Sequence, residues 1–391
     1  MLRRRSLLRS ALGSACLPGL LPAPAAAQRT GTGTDYDVLI MGAGVAGLAT
    51  AAALLRPGHD LKVLVLEARQ RLGGRVHSIP RRELAWDVEL GSGYLQPPQG
   101  AGWQPLADLG LRAEAVAAER LRLFPGMRTL VTALAGASTG LVQLDCTVTE
   151  VLWRQGLIGV YYRNRGLESA VTARRMVCAL PAPLLGGPRG PRFSPRLPRD
   201  KREALQSLSF DAIVKVALLL PAEAVDPALL AGGDAWERAD RGSLLRARPA
   251  GERGEWLLEA SYSGARAARL AGRSEAQLCA GTLGEFVALL GIANEVEVLW
   301  QAAADWAGDP YAGAAITRRG AAGVHRTLAA GLDNTLFFAG EATAEPEAVG
   351  TVHGAFLSGE RAALEVAASL GLPRVPESEG AGEAEGDSAV A

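Results

Sequence analysis

The sequence predicts an α/β protein in which a parallel sheet carries helices on its faces and a second α+β domain is built on a mixed sheet. Two observations predict the parallel sheet. The first is a strand that begins at residue 37 and is followed by a glycine-rich turn and a helix, and the second is a further strand, loop and helix at residues 335–371. Apolar runs between these units, the clearest at residues 213–220, predict the strands of the second domain.

The first unit begins with a buried strand at residues 37–41, since a short apolar run suits a parallel strand covered on both faces. Gly42, Gly44 and Gly47 follow as G-x-G-x-x-G and lead into an apolar helix. In this motif the first glycine permits a tight turn, the second lets the backbone approach a diphosphate, and the third lets helix and strand pack closely. The unit is therefore predicted to be Rossmann-like and to bind a dinucleotide at the helix N-terminus.

The second strand of this unit, residues 62–66, ends at Glu67. This carboxylate follows the last glycine of the motif by about 20 residues. At that separation an acid can accept hydrogen bonds from both ribose hydroxyls of a dinucleotide. An acid at this point favours a ribose that carries no phosphate group.

A second glycine pair narrows the choice of dinucleotide. The strand is followed by Ala68 and Arg69, and then by the glycine pair Gly73 and Gly74 with Arg71 before it and Arg75 after it. Such a loop can pass close to a diphosphate and leave a guanidinium beside it. The spacing E-x-x-x-R-x-G-G-R resembles the signature of FAD-dependent amine oxidases and their relatives, which implies that the dinucleotide is FAD.

Charge and cysteine content exclude several classes of function. The 391 residues include 41 basic and 41 acidic side chains, so a nucleic-acid partner is not expected. Cys146, Cys178 and Cys279 are widely separated, which fits neither a disulfide framework nor a metal site. The acidic, glycine-rich residues 373–391 are expected to be a disordered tail.

Residues 1–27 are predicted to be an export signal. They combine a basic head, a short apolar stretch and a small-residue end, and they are too short and too interrupted by proline and glycine for a stable membrane span. Arg4 and Arg5 resemble a bacterial twin-arginine signal, with an ordinary secretion signal as the alternative. Because the twin-arginine route moves folded proteins, a flavoprotein loaded in the cytoplasm is expected to reach the periplasm by it.

Two internal segments are expected to touch the cofactor. Residues 84–94 become glycine-rich around Gly91 and Ser92, as a backbone does when it runs beside a flat ligand. Residues 142–151 form a predicted strand that contains Val148, a further candidate for cofactor contact.

The C-terminal unit holds the remaining cofactor candidates. Its strand is followed by a loop and a helix whose N-terminal amides could meet an acceptor edge of the ligand. Together with the first unit, these residues resemble the flavin monoamine oxidase family, which includes polyamine oxidases and histone demethylases. The resemblance implies that a Gly-Glu pair holds the ribityl chain and that the turn before the helix lies against the flavin. The residues concerned are Gly340, Glu341, Thr351, Val352 and Ala355.

Lys215 is a catalytic candidate because it interrupts the apolar strand predicted at residues 213–220. A lysine in such a strand is costly unless its ammonium is paired, hydrated or lowered in pKa. The alternative is a lysine on an edge strand that points to solvent. The family resemblance implies that Lys215 holds a water against flavin N5.

The segment that begins at Trp306 resembles the family sequence W-x-x-D-P-Y. The resemblance implies that Trp306 flanks the flavin ring, and Tyr311 and Thr351 join it as candidate catalytic-site residues. Monoamine oxidases carry a flavin-linking cysteine where this chain has small residues at positions 312–314, which implies noncovalent FAD.

The chain departs from the family pattern in its substrate lobe. Family members insert a long helical lobe after the segment that matches residue 94, whereas about thirty residues intervene in this chain. Residues 95–124 are therefore expected to be a remnant lobe, with the substrate cavity open or covered by a protein partner or a second subunit. Trp103, Tyr262 and Tyr311 are candidate aromatic walls.

The predicted domains follow from these motifs. A discontinuous FAD-binding domain comprises residues 35–190 and 332–372, and a substrate domain comprises residues 191–331.

The resemblance implies an FAD-dependent amine oxidase. A small-molecule amine would transfer a hydride from its carbon to flavin N5 to give an imine, and O₂ would reoxidise the flavin to give H₂O₂. One alternative is a desaturase or oxidase of apolar substrates, related to phytoene desaturase and protoporphyrinogen oxidase. Another is a flavin-binding accessory protein that needs a partner.

Overall fold

The computed structural model describes residues 33–96, 108–117, 120–230 and 235–373. The predicted export signal, and the predicted tail beyond residue 373, lie outside the described residues. The described residues from Thr34 onward belong to one compact unit.

Strands and helices occur along the whole length of the described residues. The strands are β1 (Tyr36–Met41), β2 (Val63–Leu66), β3 (Ser78–Ile79), β4 (Val88–Glu89), β5 (Ala113–Ala117), β6 (Arg120–Leu123), β7 (Val142–Gln143), β8 (Cys146–Arg154), β9 (Leu157–Asn164), β10 (Leu167–Cys178), β11 (Arg192–Ser194), β12 (Phe210–Asp211), β13 (Ile213–Leu220), β14 (Trp236–Asp240), β15 (Ser243–Ala250), β16 (Glu255–Ser263), β17 (Trp300–Asp305), β18 (Ile316–Thr317) and β19 (Leu336–Phe338). The helices are α1 (Val45–Leu54), α2 (Arg128–Gly136), α3 (Ala182–Leu185), α4 (Arg199–Ser207), α5 (Gly264–Leu270), α6 (Glu275–Leu290), α7 (Val324–Ala329) and α8 (Val352–Ser369).

The larger sheet contains the glycine-rich unit. Its strands run in the order β11-β8-β9-β10-β1-β2-β7, and β19 pairs with the end of β10. Strand β1 pairs in parallel with β2 and with β10, while β8, β9 and β10 form antiparallel pairs. The carboxyl ends of the parallel strands meet at one edge, so the segments that follow β1, β2 and β19 come together there.

Both faces of this sheet are covered. Val38 and Ile40 of β1 pack into the cluster that includes α1 and α8, and Leu39 and Met41 pack into the cluster on the opposite face. All four side chains are at most 2% exposed. This is why β1 is continuously apolar, and each such side chain contributes roughly 1.5–3 kcal/mol by burial.

The second sheet has five strands in the order β14-β15-β16-β13-β17. One face packs on α6 through Val216, Leu218 and Phe286. On the other face, Ala217 and Leu219 contact the segment around β4. Strand β13 therefore lies inside the sheet, and every second residue of it faces the segment that follows β4.

The predicted fold class is confirmed: a Rossmann-like unit on a largely parallel sheet is joined to a second region of helices and strands. The five-stranded sheet of the second region pairs antiparallel throughout, so the sheet that mixes parallel and antiparallel pairs is the larger one. The strand predicted at residues 142–151 is in fact two strands, β7 and β8, because Asp145 between them has a left-handed φ of 59°. The domain boundaries stay a prediction. Among the described residues, no helix is long and apolar enough to span a bilayer.

Candidate active site

The three glycines of the first motif have different surroundings. A Cβ on Gly47 would lie 1.9 Å from the carbonyl oxygen of Gly42, and a Cβ on Gly42 would lie 2.9 Å from that of Ala179. A Cβ on Gly44 would meet only the Cα of Gly74, at 4.0 Å. Two of the glycines are thus required by packing, whereas the backbone of Gly44 faces space beside the start of α1.

The second glycine pair closes the other side of that space. The N–H of Gly73 donates to the carbonyl of Ala43 at 2.8 Å, which fixes the two loops against each other. A Cβ on Gly74 would lie 3.3 Å from the Cα of Gly44 and would narrow the gap. Helix α1 begins at this gap without an acidic residue in its first turn. The N–H groups of that turn and the helix dipole suit a phosphate group.

Glu67 is held beside this gap by backbone donors. Its Oε2 accepts from the N–H of Ala43 at 2.8 Å, and its Oε1 accepts from the N–H of Arg69 at 2.8 Å. Burial raises the pKa of Glu67, and the two N–H groups oppose that rise. Each carboxylate oxygen can accept a second hydrogen bond, so the geometry fits a role in binding ribose hydroxyls.

Arg69 connects the glycine loops to the segment around Trp306. Its guanidinium forms a bidentate pair with Asp309 at 2.9 and 2.5 Å and lies 5.3 Å from the ring centre of Tyr311. Tyr311 is 37% exposed and therefore lies at the surface beside Arg69. Ala68 is partly buried between Glu67 and Arg69.

Glu341 carries the most informative polar atom of the cofactor region. Its Oε1 accepts from Arg75 Nη1 at 2.8 Å and from Thr317 Oγ1 at 2.8 Å. Its Oε2 is buried and has no hydrogen-bond partner among the described residues. A buried carboxylate oxygen without a donor costs about 1–3 kcal/mol, so this atom calls for a ligand with a hydroxyl group. A ribityl hydroxyl of FAD meets that requirement.

The start of α8 is fixed by a cap. Thr351 Oγ1 accepts from the N–H of Gly354 at 2.9 Å and donates to the carbonyl of Ala348 at 2.7 Å. The hydroxyl of Thr351 thus has a structural task, and Val352 and Ala355 follow it in the first turn, both partly buried.

Two further cofactor candidates belong to the larger sheet: Gly340 directly precedes Glu341 after β19, and Val148 lies on β8. Gly340 has a φ of 135° and donates its N–H to Ser358 at 2.9 Å. Val148 is partly buried on β8 and packs against the core of the larger sheet. Their roles in cofactor binding stay predictions.

Trp306 joins its segment to the glycine-rich residues 90–92. Its Nε1 donates to the carbonyl of Leu90 at 2.8 Å, and the side chain is 4% exposed. Gly91 has no room for a side chain, because a Cβ there would lie 2.1 Å from the carbonyl oxygen of Arg75. Ser92 follows and donates its hydroxyl to the carbonyl of Tyr94 at 3.1 Å. These contacts hold residues 90–94 alongside the second glycine loop.

Lys215 reaches the same glycine-rich residues from the second sheet. Its Nζ donates to the carbonyl of Gly91 at 2.7 Å and to that of Glu89 at 3.2 Å. Burial lowers the pKa of Lys215, and the nearby carboxyl of Glu89 opposes that shift. The edge-strand alternative for Lys215 is wrong, since β13 pairs with β16 on one side and β17 on the other.

A cavity of about 160 Å³ lies beside Lys215. Its walls come from β13, β15 and β16, from the segment that contains β4, and from β6. Trp86 and Tyr94 supply its aromatic surface. Tyr262 does not, because it is 1% exposed in the core and its hydroxyl lies 3.0 Å from Thr282 Oγ1. Trp103, the other aromatic candidate, lies outside the described residues.

Sequence reasoning missed several charged residues of this cavity. Glu89 is the most unusual of them, because burial raises its pKa to about 7. Arg246 and Arg248 did have a signal in the sequence. Together with Leu244 they are every second residue of a strand, which places them on one face of it. The charged residues missed are Asp87, Glu89, Arg122, Arg246, Arg248 and Glu259.

Among the described residues, no group of three or more His, Cys, Asp or Glu side chains could hold a metal ion. Cys146, Cys178 and Cys279 are buried free thiols.

The glycine loops, Glu67 and Glu341 define the chain as a dinucleotide-binding protein, and comparison with known proteins identifies the family. The profile described as flavin containing amine oxidoreductase matches residues 117–367, and a profile for an NAD(P)-binding Rossmann-like domain matches residues 40–109. The chain belongs to the flavin-containing amine oxidoreductase family, and its dinucleotide is FAD.

Similar curated proteins match only over short stretches. An amine oxidase [flavin-containing] of Danio rerio is 43% identical over 68 residues, which is 17% of this chain and 12% of that protein. Amine oxidase [flavin-containing] A of Bos taurus is 38% identical over 84 residues, or 22% of this chain and 15% of that protein. These alignments thus span less than a sixth of either relative.

Solved structures resemble the chain over most of its length. Putrescine oxidase bound to putrescine has a TM-score of 0.66 at 19% identity, covering 85% of this chain and 99% of the other. Cyclohexylamine oxidase from Brevibacterium oxydans IH-35A has a TM-score of 0.67 at 15% identity, covering 86% of this chain and 100% of the other. At these identities the similarity shows the fold.

Proposed function

We propose that this protein is an FAD-dependent oxidase of small-molecule amines with O₂ as the electron acceptor. The observation that carries the proposal is the position of Lys215, which lines a cavity and donates to the carbonyl of Gly91 beside the cofactor residues. With FAD bound as the electron carrier, the amine would lose a hydride from its carbon and a proton from its nitrogen, and O₂ would take up the two electrons and two protons, so that amine and O₂ become imine and H₂O₂.

The residues of the chain would bind and orient the reactants. The two glycine loops and the start of α1 would hold the diphosphate, and Glu341 would accept a hydrogen bond from a ribityl hydroxyl. Lys215 would hold a water at the cavity wall nearest the flavin. Binding is proposed to be noncovalent, because the chain has small residues at positions 312–314 and the free thiols of the described residues are buried.

The test is anaerobic titration of the purified yellow holoprotein with a broad panel of amines. We expect bleaching of the flavin absorbance by at least one amine and one H₂O₂ per flavin when air is admitted. A holoprotein that no amine bleaches would overturn the proposal and favour the accessory-protein alternative. Bleaching by an apolar substrate without a nitrogen would favour the desaturase alternative.

The role of Lys215 has its own test. Lys215→Met is expected to slow reoxidation of the reduced protein by O₂ at least tenfold, because the ammonium that positions the water is lost. Reoxidation at the wild-type rate, followed by stopped-flow absorbance, would show that the proposed role is wrong.

We also propose export to the periplasm through the twin-arginine route and association with a partner or a second copy over the cavity. The basic pair Arg4 and Arg5 supports the first proposal. Leu244, which lines the cavity and is 46% exposed, supports the second. Cell fractionation of wild type and an Arg4→Lys/Arg5→Lys variant tests export, and sedimentation of the holoprotein tests association.

A further inference from the structure

The cavity beside Lys215 has an uneven distribution of charge. Its walls include four basic groups and three carboxyl groups, and the basic groups come from both sides of the space. The basic residues are Lys215, Arg122, Arg246 and Arg248, and the acidic residues are Asp87, Glu89 and Glu259.

The carboxyl groups do not balance the arginines. Asp87 is paired with Arg128 at 2.6 Å, and Arg128 is not part of the cavity wall. Glu89 is held by the N–H of Met127 at 2.7 Å and by the hydroxyl of Ser78 at 2.8 Å. Its pKa of about 7 leaves it partly neutral at physiological pH.

Among the described residues, the ion pairs of these arginines are long, partly exposed or absent. Arg248 Nε lies 3.4 Å from Glu259 Oε2, and Arg246 Nε lies 3.0 Å from Glu237 Oε1, whose side chain is 54% exposed. Arg122 faces these two arginines from β6 and lies 5.3 Å from the ring centre of Trp86. Within the described residues it forms no ion pair. The Arg246–Glu237 pair has an exposed carboxylate and contributes little, and Arg248 is held only by one long contact, so guanidinium N–H groups stay available to a ligand.

Three guanidinium groups around one small cavity suit a planar anion. Arginine binds a carboxylate through two parallel hydrogen bonds, and such charge-assisted hydrogen bonds are stronger than those between neutral groups. A second ammonium group on the substrate would instead meet the repulsion of Arg122, Arg246 and Arg248.

We propose that the substrate amine carries a carboxylate, which binds among Arg122, Arg246 and Arg248 while its amine end points toward Lys215. The substrate class is thus an amino acid, and the proposal rests on the oxidase function proposed above. The reaction converts R–CH(NH₂)–COO⁻ and O₂ to R–C(=NH)–COO⁻ and H₂O₂. The CH–NH₂ unit loses a hydride from carbon and a proton from nitrogen, and O₂ gains these two electrons and two protons.

Matched substrate pairs test this assignment in the holoprotein. L-Leucine is compared with 3-methylbutylamine, L-phenylalanine with 2-phenylethylamine, and L-lysine with 1,5-diaminopentane. We expect the carboxylated member to bleach the flavin anaerobically at a half-saturating concentration at least tenfold lower. Equal or better bleaching by the decarboxylated member in all three pairs overturns the proposal.

A matched pair of variants locates the effect. Arg246→Gln is expected to raise the half-saturating concentration of L-leucine about tenfold and to change that of 3-methylbutylamine, which carries neither a carboxylate nor a second ammonium group, far less. Arg238→Gln removes the same charge from the neighbouring strand β14, outside the cavity wall, and is expected to change neither value. Equal effects of the two variants would show that general electrostatics, and not the cavity, explains the preference.

Equilibrium binding separates this inference from the proposed activity. Benzoate and benzylamine are titrated into the oxidised holoprotein by calorimetry, where no turnover is needed. Binding of benzoate that weakens in Arg246→Gln supports the carboxylate site even if no amine bleaches the flavin, whereas bleaching by amines without benzoate binding overturns the site and leaves the oxidase intact. Displacement of benzoate by an equal concentration of sulfate also overturns it, since a general anion site would then explain the data.

Discussion

The two sides of the candidate active site are built from different chemistry. On the cofactor side, glycine backbones and N–H groups enclose the space, and an added methyl group at Gly47 would meet a carbonyl oxygen at 1.9 Å. On the cavity side, long charged side chains from β6, β13, β15 and β16 line an open space. The cofactor side therefore restricts the conformation of the chain, whereas the cavity side sets which molecule can enter.

The largest expected effect comes from breaking the cofactor side. Gly47→Ala should lower the free energy of unfolding by about 3 kcal/mol and abolish FAD retention, because the new Cβ would overlap the Gly42 carbonyl. Urea unfolding and the ratio of flavin to protein absorbance measure both. Gly281→Ala on α6 is the control, since nothing lies within 4 Å of its Cβ and alanine should stabilise the helix by up to about 1 kcal/mol. Wild-type stability of Gly47→Ala would contradict the packing described.

The next largest effect is expected from the ionisation of Glu89 on the cavity side, and it concerns how the free energy of unfolding depends on pH. Burial raises the pKa of Glu89 from 4.5 to about 7, so the folded protein binds this proton more tightly than the unfolded chain. The contribution of this proton to the free energy of unfolding is fully present below pH 4.5 and is lost as the pH rises through 7. The loss amounts to at most about 3 kcal/mol. Glu89→Gln should therefore show a smaller loss of unfolding free energy between pH 5 and pH 8 than wild type.

The control for that measurement is Glu223→Gln, which changes an exposed carboxyl group outside the cavity wall. It should follow the wild-type pH dependence. If Glu89→Gln also does so, the carboxyl of Glu89 ionises at its ordinary pH in the folded protein.

Glu341→Gln is a nearly isosteric change on the cofactor side, and its effect is expected to be third in size. The variant loses the ion pair with Arg75, whose side chain is 23% exposed, and should cost about 2 kcal/mol of unfolding free energy. It should also weaken FAD binding on the order of tenfold, measured by recovery of flavin fluorescence on dilution. Glu345→Gln, an exposed change in the same loop, should bind FAD as wild type does.

The smallest effect is expected for Arg246→Gln. Its partner Glu237 is 54% exposed, so the free energy of unfolding should change by less than about 0.5 kcal/mol, with flavin content unchanged. A loss above about 2 kcal/mol would mean that the arginines serve the fold, and the contrast between the two sides would fail.

The cofactor side could be predicted from sequence because its determinants are local. The spacing of Gly42, Gly44 and Gly47 and the acid after the next strand lie within a few tens of residues, and backbone sterics allow few alternatives. The start of α6 is determined just as locally, since Ser274 and Gln277 form a capping box before an amphipathic stretch. The start of α8 is likewise set by one residue, because Thr351 caps the helix.

The cavity side could not be predicted in the same way. Arg122 and Arg246 come from separate hairpins, and nothing local in the sequence places their guanidinium groups together. Lys215 could be singled out because a lysine in an apolar strand is unusual, but its partners are backbone carbonyls of Gly91 and Glu89, which any sequence offers. The position of Tyr262 shows the reverse problem, since an aromatic residue in the core looks the same in sequence as one in a binding wall.

The buried Oε2 of Glu341 makes the cofactor part of the folding equilibrium. A ligand that binds only the folded state adds about 2.7 kcal/mol of stability at a concentration 100 times its dissociation constant. The folded chain should therefore melt at a temperature that rises with FAD concentration. In a cell, the supply of flavin would then set how much of the newly made chain survives proteolysis.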